Sequence, residues 1–283
     1  MLRKLSILAF LLILLAVTAV PANAVTGNFT DDFEHPYVGM VVFYDSGGEF
    51  IWRCSGSLIA DQVVLTAGHC ADTAEGAASA RVYFQQDAGA NYDPVTQVDP
   101  ITGYPETCAP GTEGVLCATS HELYSYGYPA GFPEQKDVGL VILDQSVTGV
   151  TEYGQLPAAG QLDMLATKRG LQDTTFTISG YGLSYTRPTV TISYRVRLMA
   201  EEKLINLRSA LTDGYNIQLS SSPGIGGGGC FGDSGGPTFY GDTTSDLIIG
   251  VNSFVLNLNC TGTNFAYRID QQAVLDWIAA HSP

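Results

Sequence analysis

Three short segments of this chain carry side chains that could act on a substrate together. They are Leu65-Thr66-Ala67-Gly68-His69-Cys70, Lys136-Asp137-Val138-Gly139-Leu140 and Cys230-Phe231-Gly232-Asp233-Ser234-Gly235-Gly236-Pro237. Taken singly, the first two say little. A histidine at a strand end is usually structural, and an aspartate before a strand is usually a turn residue or a cap. Taken together, the three supply the parts of acyl transfer. A serine hydroxyl is a poor nucleophile at neutral pH and needs a base that titrates near that pH, which histidine provides. The imidazole needs a carboxylate on its other nitrogen to fix the tautomer and stabilise the cation. The developing oxyanion needs preorganised donors, and glycines beside the serine let backbone N–H groups come close.

These residues must be held by a folded frame. The chain has 283 residues, 45% hydrophobic and 14% charged, a globular composition with room for one large all-β domain or two lobes. Short runs rich in β-branched and aromatic residues recur between turn residues. They cover 37–44, 62–67, 81–84, 138–143, 176–180, 189–199, 216–219, 238–240 and 247–255. This pattern predicts a sandwich or barrel of many strands. Val274, Leu275, Trp277 and Ile278 form an apolar stripe at helical spacing, and Asp270 is the expected cap. Residues 88–132, with five prolines, read as a long surface loop, and residues 224–229 as a second irregular segment.

The formal net charge is −15, so the chain lacks the basic face that nucleic acid requires. Arg3 and Lys4, the apolar stretch from Ile7 to Val20 and the Ala22-Asn23-Ala24 triplet read as a secretory leader over residues 1–24. Export predicts an extracellular protein in an oxidising compartment, without stable membrane association once the leader is removed. Six cysteines allow full pairing but permit fifteen connectivities, and the absence of a Cys-x-x-Cys pair argues against structural zinc.

The three segments, in the order His, Asp, Ser, resemble the signatures of the chymotrypsin-like (trypsin family) serine peptidases. Arg53-Cys54-Ser55-Gly56-Ser57-Leu58-Ile59 is similar to the strand before that family's histidine. Ile178-Ser179-Gly180-Tyr181-Gly182 is similar to the strand opening its second barrel, with Tyr181 where Trp is common, and the closing Trp277-Ile278 helix matches as well. The resemblance implies an all-β fold of two six-stranded antiparallel β-barrels packed together, with a C-terminal helix and an active site in the cleft between them. The peptidase domain would span residues 25–283, its lobes dividing near 150–170.

The resemblance also implies roles. Ser234 attacks the peptide carbonyl, His69 takes and returns the proton, and Asp137 orients His69. The N–H groups of Gly232 and Ser234 form the oxyanion hole. Ser253 supports the aspartate, while Phe254 and Val255 line the binding cleft. Gly228 lies at the base of the primary pocket. With no carboxylate at Gly228, cleavage after Lys or Arg is not preferred; Val255 favours small or medium apolar side chains, and Asn264 adds polar selectivity. Cys54 pairs with Cys70 and Cys230 with Cys260. Cys108 and Cys117 are left over and close in sequence, and are expected to pair with each other. Val25 stands where the family's activating amino terminus would be, to pair with Asp233. The resemblance calls for no metal and no cofactor. The expected partners are protein or peptide substrates, and the chain is expected to be a monomer.

Overall fold

The computed structural model describes residues 26–89, 116–167, 173–183, 185–187, 190–193, 195–222 and 224–283. Val25, Cys108 and the leader lie outside these residues.

The strands fall, in chain order, at Thr26–Gly27 (β1), Phe29–Asp31 (β2), Val38–Tyr44 (β3), Phe50–Ala60 (β4), Val63–Thr66 (β5), Ser79–Tyr83 (β6), Cys117–Ser120 (β7), Glu122–Ser125 (β8) and Gly139–Ile142 (β9). The second half holds Thr175–Gly180 (β10), Tyr185–Arg187 (β11), Val190–Ile192 (β12), Leu198–Asn206 (β13), Asn216–Ser221 (β14), Gly227–Gly228 (β15), Pro237–Tyr240 (β16), Ile248–Val255 (β17) and Gly262–Arg268 (β18). A single described α-helix, Gln272–His281 (α1), closes the chain.

The fold is mostly β, with two barrel-like sheets. The first has the order β7-β6-β3-β4-β5-β9-β8. Its end strands β7 and β8 are separated by His121 alone, so one bent stretch of chain pairs with β6 on one side and β9 on the other. The second has the order β10-β16-β17-β18-β14-β13-β2 and closes through a β10–β13 pairing, leaving six strands in the barrel and β2 appended to β13. All seven residues of β3 are buried, which is why its sequence reads as a continuous apolar run rather than an alternating one. Arg197 is buried where the halves meet. It donates from Nε to the Asp32 carbonyl and from one terminal nitrogen to the carbonyls of Val38 and Phe84.

Three expectations are corrected. Asp270 does not cap α1: its Oδ2 accepts from the Leu162 N–H and from Arg268, while the cap position falls to Gln271, which makes no side-chain cap bond. A fully buried carboxylate gains more from a guanidinium than from a helix end. The run 189–199 is not one strand. Val190–Ile192 turns back on Tyr185–Arg187, Arg195 takes the left-handed conformation at φ 55°, and a new strand begins at Leu198. The stretch 88–132 is not loop throughout, since β7 and β8 lie within it.

Candidate active site

His69 and Asp137 meet because their strands pair. In the β5–β9 ladder Thr66 stands opposite Gly139, and the two strands are antiparallel. His69 follows the end of β5 and Asp137 precedes the start of β9, so both emerge at the same edge. Gly68 makes the passage possible: a Cβ there would lie 3.0 to 3.1 Å from Tyr128, the Lys136 carbonyl and the Val138 nitrogen. Lys136, at φ 53°, turns the chain into β9 through a conformation that non-glycine residues seldom take. A disulfide from Cys70 to Cys54 ties the histidine turn to β4.

The Asp137 carboxylate accepts three kinds of donor. Oδ1 takes the His69 backbone N–H at 2.8 Å, Oδ2 faces His69 Nδ1 at 2.9 Å, and Oδ2 also accepts from the Ser253 hydroxyl. Ser253 sits on β17, so the second barrel braces an aspartate carried by the first. Burial pushes the His69 pKa down, but the charge and hydrogen bond of Asp137, with a smaller pull from Glu75, outweigh it and hold the imidazole above its ordinary value.

Ser234 arrives from the second barrel on the turn before β16. Its carbonyl accepts from the Ser55 N–H at 2.8 Å, and the next N–H, of Gly235, donates to the Asn252 carbonyl at 2.7 Å. Gly235 has φ +79°, and a Cβ there would come within 2.1 Å of Thr66 Oγ1 and 2.7 Å of the Ala67 nitrogen. Only a bare backbone lets the serine turn dock this tightly on β4 and β5. The Cys230–Cys260 bridge fastens the segment before Ser234 to the turn after β17.

His69 and Ser234 both line one cavity of about 220 Å³, together with Gly229, Phe231, Asn252, Ser253, Phe254, Val255, Asn264 and Phe265. Phe254 lies flat on Phe265, with ring centroids 4.4 Å apart. The register explains the contact, since Phe254 pairs with Phe265 across β17 and β18. Gly228 does not line this cavity. It is held in β15, paired with Thr26 of β1, and a Cβ there would meet the Ser221 Cβ at 2.2 Å; its neighbour Gly229 is on the wall instead. The sequence reading missed Gly229, Phe231 and Phe265, because their place follows from strand register, which has no local mark.

Asp233 is buried beside the same cavity. Oδ1 accepts from the Gly182 N–H at 2.7 Å and Oδ2 from the Cys230 N–H at 2.9 Å. Burial pushes its pKa up to about 6, against the lowering by these two bonds and by the Arg53 charge. Cys117 is disulfide-bonded, and its expected partner Cys108 lies outside the described residues. Among the described residues, Cys54, His69 and Cys70 are grouped closely enough to suggest metal ligands, but both sulfurs are already joined to each other.

Comparison with known proteins decides the family. The chain matches the family described as Trypsin over residues 24–278.

The chain belongs to the trypsin family of chymotrypsin-like serine peptidases.

Among curated relatives it is 26% identical to chymotrypsin-like elastase family member 1 of Felis catus over 244 residues, covering 84% of this chain and 82% of that one. It is 32% identical to CLIP domain-containing serine protease B10 of Anopheles gambiae over 130 residues, which is 43% of this chain and 33% of the relative. The matched part of Serine protease 7 of Drosophila melanogaster is about half of that protein, at 52% of its length. The structure of HL collagenase superposes with a TM-score of 0.62 at 21% identity, covering 90% of this chain and 97% of that one. Human heparin binding protein has the same fold, with a TM-score of 0.59 at 19% identity. Since fold alone joins proteins of different activity, the site residues carry the functional argument.

Proposed function

We propose that this chain is a secreted endopeptidase that cleaves peptide bonds through an acyl-enzyme intermediate, with Ser234 as nucleophile, His69 as base and then acid, and Asp137 as its orienting carboxylate. One observation carries the reading: a buried carboxylate held by His69 Nδ1 and by Ser253, with Ser234 on the wall of the same cavity as the imidazole. In the first step Ser234 Oγ bonds to the substrate carbonyl carbon while its proton passes to His69 Nε2. The tetrahedral oxyanion collapses, the amine leaves with that proton, and water repeats the sequence to release the acid. The oxyanion donors are the N–H groups of Gly232 and Ser234, neither of which has an acceptor among the described residues.

Two finer points belong to the same reading. The primary cavity has apolar walls in Phe254, Val255 and Phe265, and the one carboxylate that lines it, Asp233, already accepts from the backbone N–H groups of Gly182 and Cys230, so the cavity does not favour a lysine or arginine side chain. The amino terminus created at Val25 completes the site by pairing with Asp233. In support, Thr26, the next residue, is already paired with Gly228 on the segment leading to Asp233, and that buried carboxylate has no cation bonded to it among the described residues. Among the described residues no helix is long and apolar enough to cross a membrane.

A fluorophosphonate probe applied to the secreted protein tests the nucleophile. Labelling is expected at Ser234, and Ser234→Ala should abolish it and lower kcat on the order of 10⁶-fold. Labelling that survives in Ser234→Ala overturns the assignment. Amino-terminal sequencing of the active form tests the second point, and a start other than Val25 rules it out.

A further inference from the structure

The oxyanion donors stand on a turn that could face either way. The Asp233 N–H returns to the Cys230 carbonyl at 3.0 Å and Gly232 has φ +96°, the form of a type II turn with glycine at its third position. Types I and II differ by a half-turn of the central peptide, here Phe231–Gly232. In the form present, the Gly232 N–H is left without an acceptor among the described residues. In the other form the Phe231 carbonyl would take its place. Glycine itself chooses weakly between the two, since φ of either sign costs it about the same. The choice must be made from outside the turn.

Two hydrogen bonds make it. The Leu183 N–H donates to the Phe231 carbonyl at 2.8 Å, and the Ser55 hydroxyl donates to the Gly232 carbonyl at 2.9 Å. Ser55 belongs to β4 of the first barrel and is fully buried. Its Oγ accepts from the Tyr181 N–H at 2.9 Å, and its own N–H goes to the Ser234 carbonyl at 2.8 Å. A backbone N–H can only donate and a carbonyl can only accept, so the hydroxyl proton has one direction to take. Arg53, two residues earlier on the same face of β4, holds the base of the hairpin that includes Leu183. Its Nη1 donates to the Tyr181 carbonyl at 3.2 Å and its Nη2 to the Ser193 hydroxyl at 2.6 Å, on the two sides of the β11–β12 pair.

We propose, on the peptidase reading above, that Ser55 is a positioning residue for the oxyanion hole: its hydroxyl ties the 230–233 turn to Tyr181 and keeps the Gly232 N–H aimed at the place where the substrate oxygen becomes charged. Without that hydroxyl, the Gly232 carbonyl and the Tyr181 N–H are left buried and unpaired. The turn then gains by rotating, and a carbonyl dipole would meet the oxyanion where an N–H should. Ser55 touches neither the substrate nor the reacting atoms. Its side chain makes no bond to His69, Asp137 or Ser253, and it does not line the primary cavity. Its loss should therefore be felt in the transition state and not in substrate binding or in the titration of His69.

The test is Ser55→Ala, assayed on a peptide that the wild-type enzyme cleaves. Its kcat should fall on the order of 10²-fold, the effect of losing one oxyanion donor, with KM within about threefold of wild type. A peptidyl trifluoromethyl ketone, whose adduct with Ser234 puts a charged oxygen in the hole, should bind more weakly by the same factor. The pH limb of kcat/KM should stay where it is in wild type. Ser57→Ala is the control: Ser57 is buried on the same face of β4, its hydroxyl has no hydrogen-bond partner, and the variant should match wild type. Ser55→Gly removes the same hydroxyl and decides the matter should Ser55→Ala fail to fold. A kcat near wild type in either folded variant, a loss that appears in KM or moves the pH limb, or an equal loss in Ser57→Ala overturns the inference and leaves the peptidase reading intact. Failure of both Ser55 variants to fold makes the residue one of stability and overturns it too. A wild-type enzyme that cleaves no peptide overturns both readings.

Discussion

His69 and His35 are held in nearly the same way. His69 gives its backbone N–H and its Nδ1 to Asp137, and that carboxylate also accepts from Ser253. His35 gives its backbone N–H and its Nδ1 to Asp32, at 3.0 and 2.9 Å, and that carboxylate also accepts from Ser179. Each is a histidine, an aspartate and a serine, each joins distant parts of the chain, and in each the aspartate is buried. They differ at the other ring nitrogen. His35 Nε2 faces the Ser245 carbonyl at 3.3 Å, and the ring lies flat on Phe239 at 4.3 Å, fully enclosed. Both its nitrogens already face acceptors inside the protein, so neither is open to a substrate. The His69 side chain is 28% exposed and lines the cavity that also holds Ser234. A carboxylate behind a histidine therefore makes a brace or a base according to what the far nitrogen meets.

The comparison breaks most sharply under the same substitution at both aspartates. Asp137→Asn should lower kcat about 10⁴-fold, because the amide favours the wrong tautomer of His69, and should leave the protein folded. Asp32→Asn should do the reverse: it removes one member of a buried pair, costs about 3–5 kcal/mol in denaturant unfolding, and leaves kcat of the folded fraction near wild type. Equal effects of both changes on kcat would mean that the two constellations are not functionally distinct.

Acid should separate them next. Burial raises the Asp32 pKa, but His35, Ser179 and Arg197 outweigh it and hold it below the ordinary value. A depressed carboxylate contributes stability that is present above its unfolded pKa and lost as pH falls through the folded one. Unfolding titrations should therefore show an acid loss, below the ordinary carboxylate range, that is absent in Asp32→Asn. His69 acts on rate instead. In the proposed mechanism it must be neutral to accept the Ser234 proton, and it is held above its ordinary value, so kcat/KM should rise with pH along a limb displaced above that of a free histidine. In Asp137→Asn the residual activity should have its limb at lower pH, because the carboxylate that raises His69 is gone.

The smallest expected effect concerns the serine of each constellation. Ser253→Ala removes one of several donors to Asp137 and should lower kcat about tenfold, whereas Ser179→Ala should cost about 1–2 kcal/mol of stability with little change in rate. A drop in kcat for Ser179→Ala of the same size as for Ser253→Ala would blur the distinction.

Much of this was legible in sequence because the chemistry is local in composition. The segments around His69, Asp137 and Ser234 announce a base, its carboxylate and a glycine-flanked nucleophile, and short runs rich in β-branched and aromatic residues announce strands such as Val38–Tyr44 and Thr175–Gly180. Gly262–Arg268 gave no such signal, since Gly, Thr and Asn at its start look like a turn, yet it pairs with two neighbours in the second barrel. Asp32 and His35 passed unnoticed for the opposite reason: their partners Ser179 and Ser245 are remote in sequence and come together only when the second barrel closes. The same holds for the cavity floor. Residue types fix what a group can donate, accept or titrate, so the sequence alone determined the reaction class. Burial and register decide what each group faces, and these depend on strand pairings between distant residues. The tertiary structure therefore decided which histidine is open and which glycine reaches the cavity wall.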